Sequence, residues 1–203
     1  MIKNIAFDVG GVLLKVAKIE DMRQGIVDFL KSEIGVREEE GKIRRIVDEI
    51  VPQWFSERGL GENLWSKYFS PEISAKIVGE YKYYHDKKYI PISKMVDLCK
   101  RLSKKYELGI LSNFSNDLIV RDSFFEMKIF KTVVFSGTFG VAKPDQEIYK
   151  IYCEKAGYKA EEVLFIDDRE ENVKGAIRFG MKGLLFENQE KLEKDMKEAE
   201  IIE

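Results

Sequence analysis

Four polar groups stand at or just beyond the ends of short apolar runs: Asp8, Ser112-Asn113, Lys143 and Asp167-Asp168. Together they offer three carboxylates that can hold Mg²⁺, a hydroxyl, an amide and one ammonium. Phosphoryl transfer calls for such a set, because a metal and a lysine offset the phosphate charge while an aspartate attacks phosphorus. Gly10 and Gly11 follow the first aspartate and permit a tight turn whose backbone N–H groups can face an anion. The segment is neither the spaced glycine fingerprint of a dinucleotide site nor a phosphate loop ending in Gly-Lys-Ser/Thr.

These groups can meet only if the runs before them are strands of one sheet. The runs at 2–7, 106–111, 132–135, 163–166 and 183–186 lack clean alternation, and helical patterns at about 93–105, 117–127, 146–156 and 171–179 separate the later ones. This predicts an α/β fold, a Rossmann-like parallel sheet covered on both faces, with ligands gathering beyond the carboxyl ends of its strands. Residues 18–89 break the rhythm and show only helical periodicity, as at Ile43, Ile46, Val47, Ile50 and Val51. An inserted helical cap is therefore expected at 18–89, with the core at 1–17 and 90–203. Gly35, Gly59-Leu60-Gly61 and Ser70-Pro71 are expected helix breaks within it. A last polar helix at about 188–203 is expected to pack only partly or fray.

Composition narrows the class. With 34 Lys and Arg against 36 Asp and Glu the formal charge is -2, which gives no electrostatic case for a nucleic-acid partner. No segment approaches the roughly 18 consecutive apolar residues of a membrane span, and the first apolar run leads into Asp8 rather than a signal-peptide cleavage site. Cys99 and Cys153 lack metal-site spacing and make no disulfide framework, so a cytoplasmic setting is expected. Nothing in the composition chooses between a monomer and a homodimer.

The segments Phe7-Asp8-Val9-Gly10-Gly11-Val12-Leu13, Leu111-Ser112-Asn113, Lys143-Pro144 and Phe165-Ile166-Asp167-Asp168-Arg169-Glu170-Glu171-Asn172 occur in this order around a helical insertion. In this the chain resembles the haloacid dehalogenase-like hydrolase superfamily, in the branch with a cap after the first strand, over nearly its whole length. The resemblance implies a sheet order of 5-4-1-2-3, which sets Asp8 beside Asp167-Asp168. It makes Asp8 the nucleophile that forms an aspartyl-phosphate, and also a Mg²⁺ ligand together with Asp168 and the Gly10 carbonyl. Asp167 would act through water or by orientation. Ser112 would bond a phosphoryl oxygen with Asn113 nearby, Lys143 would neutralise charge shared by phosphate and Asp8, and Asn172 would steady the loop or the lysine. Arg169 would form either a surface ion pair or a contact to cap or substrate. The implied activity is Mg²⁺-dependent hydrolysis of a small phosphorylated metabolite such as a sugar phosphate.

Gly10 departs from the pattern, because most phosphatases of the superfamily carry a second aspartate there as general acid and base. The expectation is an enzyme weakened by its loss, a function typically worth ~10²–10⁴-fold. Two alternatives accompany it: a metal-independent 2-haloacid dehalogenase, and a catalytically weak phosphate- or protein-binding member of the fold. His85, at the expected return from cap to core, reads as a surface helix end. Trp54, Phe55, Trp65, Tyr68, Phe69, Tyr81, Tyr83 and Tyr84 read as the packing of the cap rather than an aromatic cage, and Arg23, Arg44 and Arg45 are candidates for reading a second anion on the substrate.

Overall fold

The computed structural model describes the backbone of residues 1–15, 19–56, 61–88, 90–114 and 127–202, and the side chains of these except 19–22, 54–56, 61–62, 81–88, 90 and 127. Five parallel strands form the main sheet: β1 (Asn4–Phe7), β4 (Glu107–Ser112), β5 (Phe130–Phe135), β6 (Val163–Asp167) and β7 (Lys182–Leu185). Their spatial order is β5-β4-β1-β6-β7, the expected 5-4-1-2-3 read from the other edge. β1 is central, so both of its faces must be apolar, and Ile5, Ala6 and Phe7 are completely buried. Ile5 and Phe7 join an apolar cluster on one face with Met95, Leu98 and Leu102 of α5 (Ser93–Leu102) and Leu192 and Met196 of α9 (Gln189–Glu198). Ala6 turns to the other face, where Ile148, Tyr149 and Tyr152 of α7 (Gln146–Ala156) and Ala176 of α8 (Glu170–Phe179) cover it.

The insertion leaves and re-enters the core through a short antiparallel ribbon. β2 (Leu14–Lys15) pairs with β3 (Ile90–Pro91), and the Ile92 N–H extends the ribbon to the Leu13 carbonyl at 2.9 Å. Between them lie α1 (Ile19–Ser32), α2 (Glu40–Ser56), α3 (Gly61–Trp65) and α4 (Pro71–Lys88). On α2 the stripe Ile43, Val47, Ile50 and Val51 is buried, as its spacing requires, and the helix rests on α6 (Ser136–Phe139) of the core. Pro71 opens α4 at a position where no N–H is needed, and Ser70 Oγ accepts from the Ile73 N–H at 3.3 Å. The helix expected at about 117–127 lies outside the described residues for most of its length. Among the described residues no helix is long and apolar enough to cross a membrane.

The carboxyl-terminal helix corrects the sequence expectation. It does not fray: Leu192 and Met196 are fully buried, Ile201 is nearly so, and the Tyr106 hydroxyl donates to the Ile201 carbonyl at 2.6 Å. Asn188 caps the helix by accepting from the Lys191 N–H at 2.9 Å. Two buried residues in so charged a stretch carry little periodic signal, yet four residues apart they occupy one face. Leu192→Ala is therefore expected to cost about 2–5 kcal/mol in urea denaturation, whereas a loosely attached helix would lose less than about 0.5 kcal/mol.

Candidate active site

Pairing registers decide what meets at the carboxyl edge of the sheet. Phe7 is level with Ile110 on one side and with Ile166 on the other, so the next residues, Asp8, Leu111 and Asp167, share one level. The Asp8 N–H continues the ladder to the Ile166 carbonyl at 2.9 Å. Lys143 comes from the segment between α6 and α7, and its ammonium reaches into this row.

The Lys143 side chain is 1% exposed, and each of its three N–H bonds has an acceptor: Asp8 Oδ1 at 2.9 Å, Asp167 Oδ2 at 2.6 Å and the Leu111 carbonyl at 2.9 Å. The face of Phe165 lies 5.1 Å from Nζ. Burial by itself would release the proton, but the two carboxylates outweigh it and hold the ammonium above the ordinary lysine range. Asp8 is pushed up by burial and by the Asp167 charge, against the opposing pull of Lys143 and a hydrogen bond from Ser112. Asp167 is fully buried and accepts from Lys143, from the Arg169 N–H at 2.8 Å and from Asn172 Nδ2 at 3.1 Å to each oxygen. The Asn172 carbonyl in turn accepts from the Tyr149 hydroxyl at 2.8 Å, which ties α8 to α7 below the site.

Asp168 is the most open of the three carboxylates, and it sits over Gly11. That glycine has φ +79°, and a Cβ there would lie 2.2 Å from Asp168 Oδ2. Gly11 is therefore favoured by its backbone conformation, and a side chain there would make the Asp168 carboxylate shift. Its N–H does not face an anion as the sequence suggested, because it donates to the Leu14 carbonyl at 2.8 Å. Gly10 is bridged to Leu14 in the same turn. One oxygen each of Asp8, Asp167 and Asp168 lies within 4.8 Å of the others. When all three are ionised, the carboxylates exceed the Lys143 ammonium by two charges. Burial, then the Asp8 and Asp167 charges, push Asp168 up to about 6. A compact set of hard oxygen donors with uncompensated charge fits a Mg²⁺ ion.

This arrangement overturns the expectation of an enzyme weakened at Gly10. Asp8 stands in the site, and with Asp167 and Asp168 it forms an intact cluster able to hold a metal ion.

Other sequence candidates fall elsewhere. Both polar ends of the Asn113 side chain engage the Lys143 main chain. Arg169 pairs with Glu171 at the surface. In the cap, Arg23 lies 3.4 Å from Asp48, Arg44 lies 3.5 Å from Glu40, and Arg45 is exposed. Trp65 is buried against Phe69 in the cap interior, while Tyr68 is exposed and donates to Glu49 at 2.8 Å. The side chains of Trp54, Phe55, Tyr81, Tyr83, Tyr84 and His85 lie outside the described residues. Residue types gave no signal for the Leu111 carbonyl or the Phe165 ring as parts of the lysine's seat, since a carbonyl belongs to every residue and the ring reads as core.

Two outcomes follow from this geometry. Gly11→Ala displaces the Asp168 carboxylate and is expected to weaken Mg²⁺ binding by about 10-fold or more, measured by calorimetric titration; unchanged affinity would contradict the clearance argument. Asp168 also binds a proton more readily in the folded chain than at its unperturbed value of 3.8. In metal-free protein its contribution to stability is fully present below about pH 4 and is lost as pH rises through about 6. Denaturation of chelator-treated protein across this range is expected to show that fall, and Asp168→Asn is expected to make it shallower, with the share due to Asp8 remaining.

The haloacid dehalogenase-like hydrolase family model matches residues 2–180. A glyceraldehyde 3-phosphate phosphatase of Methanopyrus kandleri is 27% identical over 191 residues, covering 89% of this chain and 82% of the relative. A haloacid dehalogenase-family enzyme of Bacteroides thetaiotaomicron, solved with magnesium and inorganic phosphate, superposes with a TM-score of 0.68 at 24% identity, covering 95% of this chain and 99% of that one. A 2-haloacid dehalogenase of Pseudomonas syringae pv. Tomato superposes equally, at 0.68 and 19% identity, over 92% of this chain and 86% of that one. The sheet order, the inserted helical cap and the family match agree: the chain belongs to the haloacid dehalogenase-like hydrolases.

Proposed function

We propose that the protein is a Mg²⁺-dependent phosphomonoester hydrolase acting on a small phosphorylated metabolite of the sugar-phosphate kind. The observation that carries this reading is the excess negative charge of Asp8, Asp167 and Asp168 around one buried ammonium, a centre suited to a divalent cation and, through it, a phosphate. The phosphatase of Methanopyrus kandleri and a sesquiterpene phosphatase of Aspergillus oryzae, 27% identical over 188 residues, act on phosphorylated compounds by name, and the Bacteroides neighbour holds magnesium and phosphate.

In this reading Asp8 and Asp168, with the Gly10 carbonyl, would hold Mg²⁺, which would offset the charge of the phosphoryl group, and Asp167 would orient the set. Lys143 fixes Asp8 Oδ1, and Asp8 Oδ2 is the oxygen it leaves unbonded. Asp8 attacks phosphorus as the bond to the ester oxygen breaks, the leaving oxygen takes a proton from solvent, and water then cleaves the aspartyl-phosphate to inorganic phosphate and free Asp8. Ser112, whose hydroxyl donates to Asp8 in the free chain, would turn that proton to a phosphoryl oxygen when substrate binds. Asn172 steadies Asp167.

The core at 1–17 and 90–203 supplies this chemistry, and the cap at 18–89 selects the substrate. Closure of the cap about its β2–β3 stem excludes bulk water. Both cysteines are free and buried, which supports a reducing, cytoplasmic setting.

Dehalogenation fits less well. With no metal to offset the charge, a carboxylate substrate would approach a centre of three carboxylates and one ammonium. The test is initial-rate hydrolysis of a panel of small phosphomonoesters with Mg²⁺ and with EDTA. Turnover is expected only with metal and is expected to fall by at least about 10³-fold in Asp8→Asn; activity retained by that variant would sink the mechanism.

A further inference from the structure

The segment that delivers Lys143 runs from Gly140 to Asp145, between α6 and α7, and is itself neither helix nor strand. A long flexible side chain on such a segment needs its root held as firmly as its tip. The end of β4 does both. Leu111 takes the tip, its carbonyl accepting from Nζ at 2.9 Å. Two residues on, the Asn113 side chain takes the root: Oδ1 accepts the Lys143 N–H at 2.8 Å and Nδ2 donates to the Lys143 carbonyl at 2.9 Å. The residues on either side of Asn113 fasten other loops, Ser112 to Asp8 and the Phe114 N–H to Ser136 Oγ at 3.0 Å.

We propose that Asn113 is a positioning residue for Lys143, acting through the lysine's main chain rather than by touching substrate. A carboxamide offers an acceptor to the N–H and a donor to the carbonyl of one residue, on either side of its Cα; aspartate lacks the donor and leucine lacks both. Holding N–H and carbonyl together fixes where the Lys143 Cα sits, and so whether Nζ can bridge Asp8 and Asp167. This role rests on the phosphohydrolase reading for its effect on rate, but the clamp itself is a property of the folded chain.

A double-mutant cycle tests it, with two readouts. In the first, kcat and KM are measured for wild type, Asn113→Ala, Lys143→Ala and the double variant on the best phosphomonoester. Asn113→Ala alone is expected to lower kcat by roughly 10- to 100-fold with KM changed less than about 2-fold, since a displaced catalytic group costs up to about 10² in rate. On the Lys143→Ala background it is expected to change kcat by less than about 2-fold. An equal loss on both backgrounds, or a raised KM with kcat unchanged, would make Asn113 a substrate contact and overturn the proposal.

The second readout is amide hydrogen exchange by NMR. The Lys143 amide is expected to be protected in wild type and to exchange at least about 10-fold faster in Asn113→Ala, with β1 amides unchanged. Asn113→Asp, which keeps the acceptor and loses the donor, is expected to retain that protection and to show a kcat between wild type and Asn113→Ala; wild-type kcat in this variant would count against the clamp. If wild type hydrolyses no phosphomonoester, the proposed function fails, while the exchange readout still decides the clamp. An unprotected Lys143 amide in wild type would overturn it.

Discussion

A buried ammonium with three acceptors is the interaction on which the site depends. Lys143 holds Asp8 and Asp167 apart and together at once: without the cation, two buried carboxylates would face each other and at least one would take up a proton. Without the carboxylates, the ammonium would be an unpaired charge in the interior, costly enough to be expelled or neutralised. Each partner makes the others tolerable. The arrangement is still not neutral, and the surplus charge is concentrated where Asp168 opens toward solvent. Fold and chemistry are thus linked by one electrostatic imbalance that a divalent cation corrects.

The parallel sheet makes that imbalance possible. Phe7, Ile110 and Ile166 lie level, so the next residues along the three strands, Asp8, Leu111 and Asp167, fall in one row. Slipping one strand by a residue would turn its terminal side chain to the opposite face and break the row. The apolar clusters on both faces, closed by α5 and α9 on one side and α7 and α8 on the other, fix the register. They do so because Ile5, Phe7 and Ala6 leave no exposed side to slide toward.

Much of this was legible in the sequence because apolar runs announce strands, and a polar residue directly after such a run stands at the sheet edge. Asp8, Ser112 and Asp167-Asp168 follow that rule, and the cap announced itself through the spacing of Ile43, Val47, Ile50 and Val51. What stayed hidden was relational. Gly11 suggested an anion cradle, yet it spends its N–H on Leu14 and serves as clearance for Asp168. Gly10 suggested a depleted site, yet the carboxylate cluster around Asp8 is intact. The Asn113 side chain gave no hint that its partner would be the main chain of a residue thirty positions away. Leu192 and Met196 vanished into a charged stretch because two apolar residues are too few to show a period.

The central claim is that Asp8, held by Lys143, is the group that receives the phosphoryl moiety. The most direct measurement is acid quench of the enzyme during steady-state turnover of its best phosphomonoester, followed by peptide mass spectrometry. The account predicts one phosphoryl group, labile to hydroxylamine, on the peptide that carries Asp8 and on no other. Turnover with phosphate found on a different residue would contradict it.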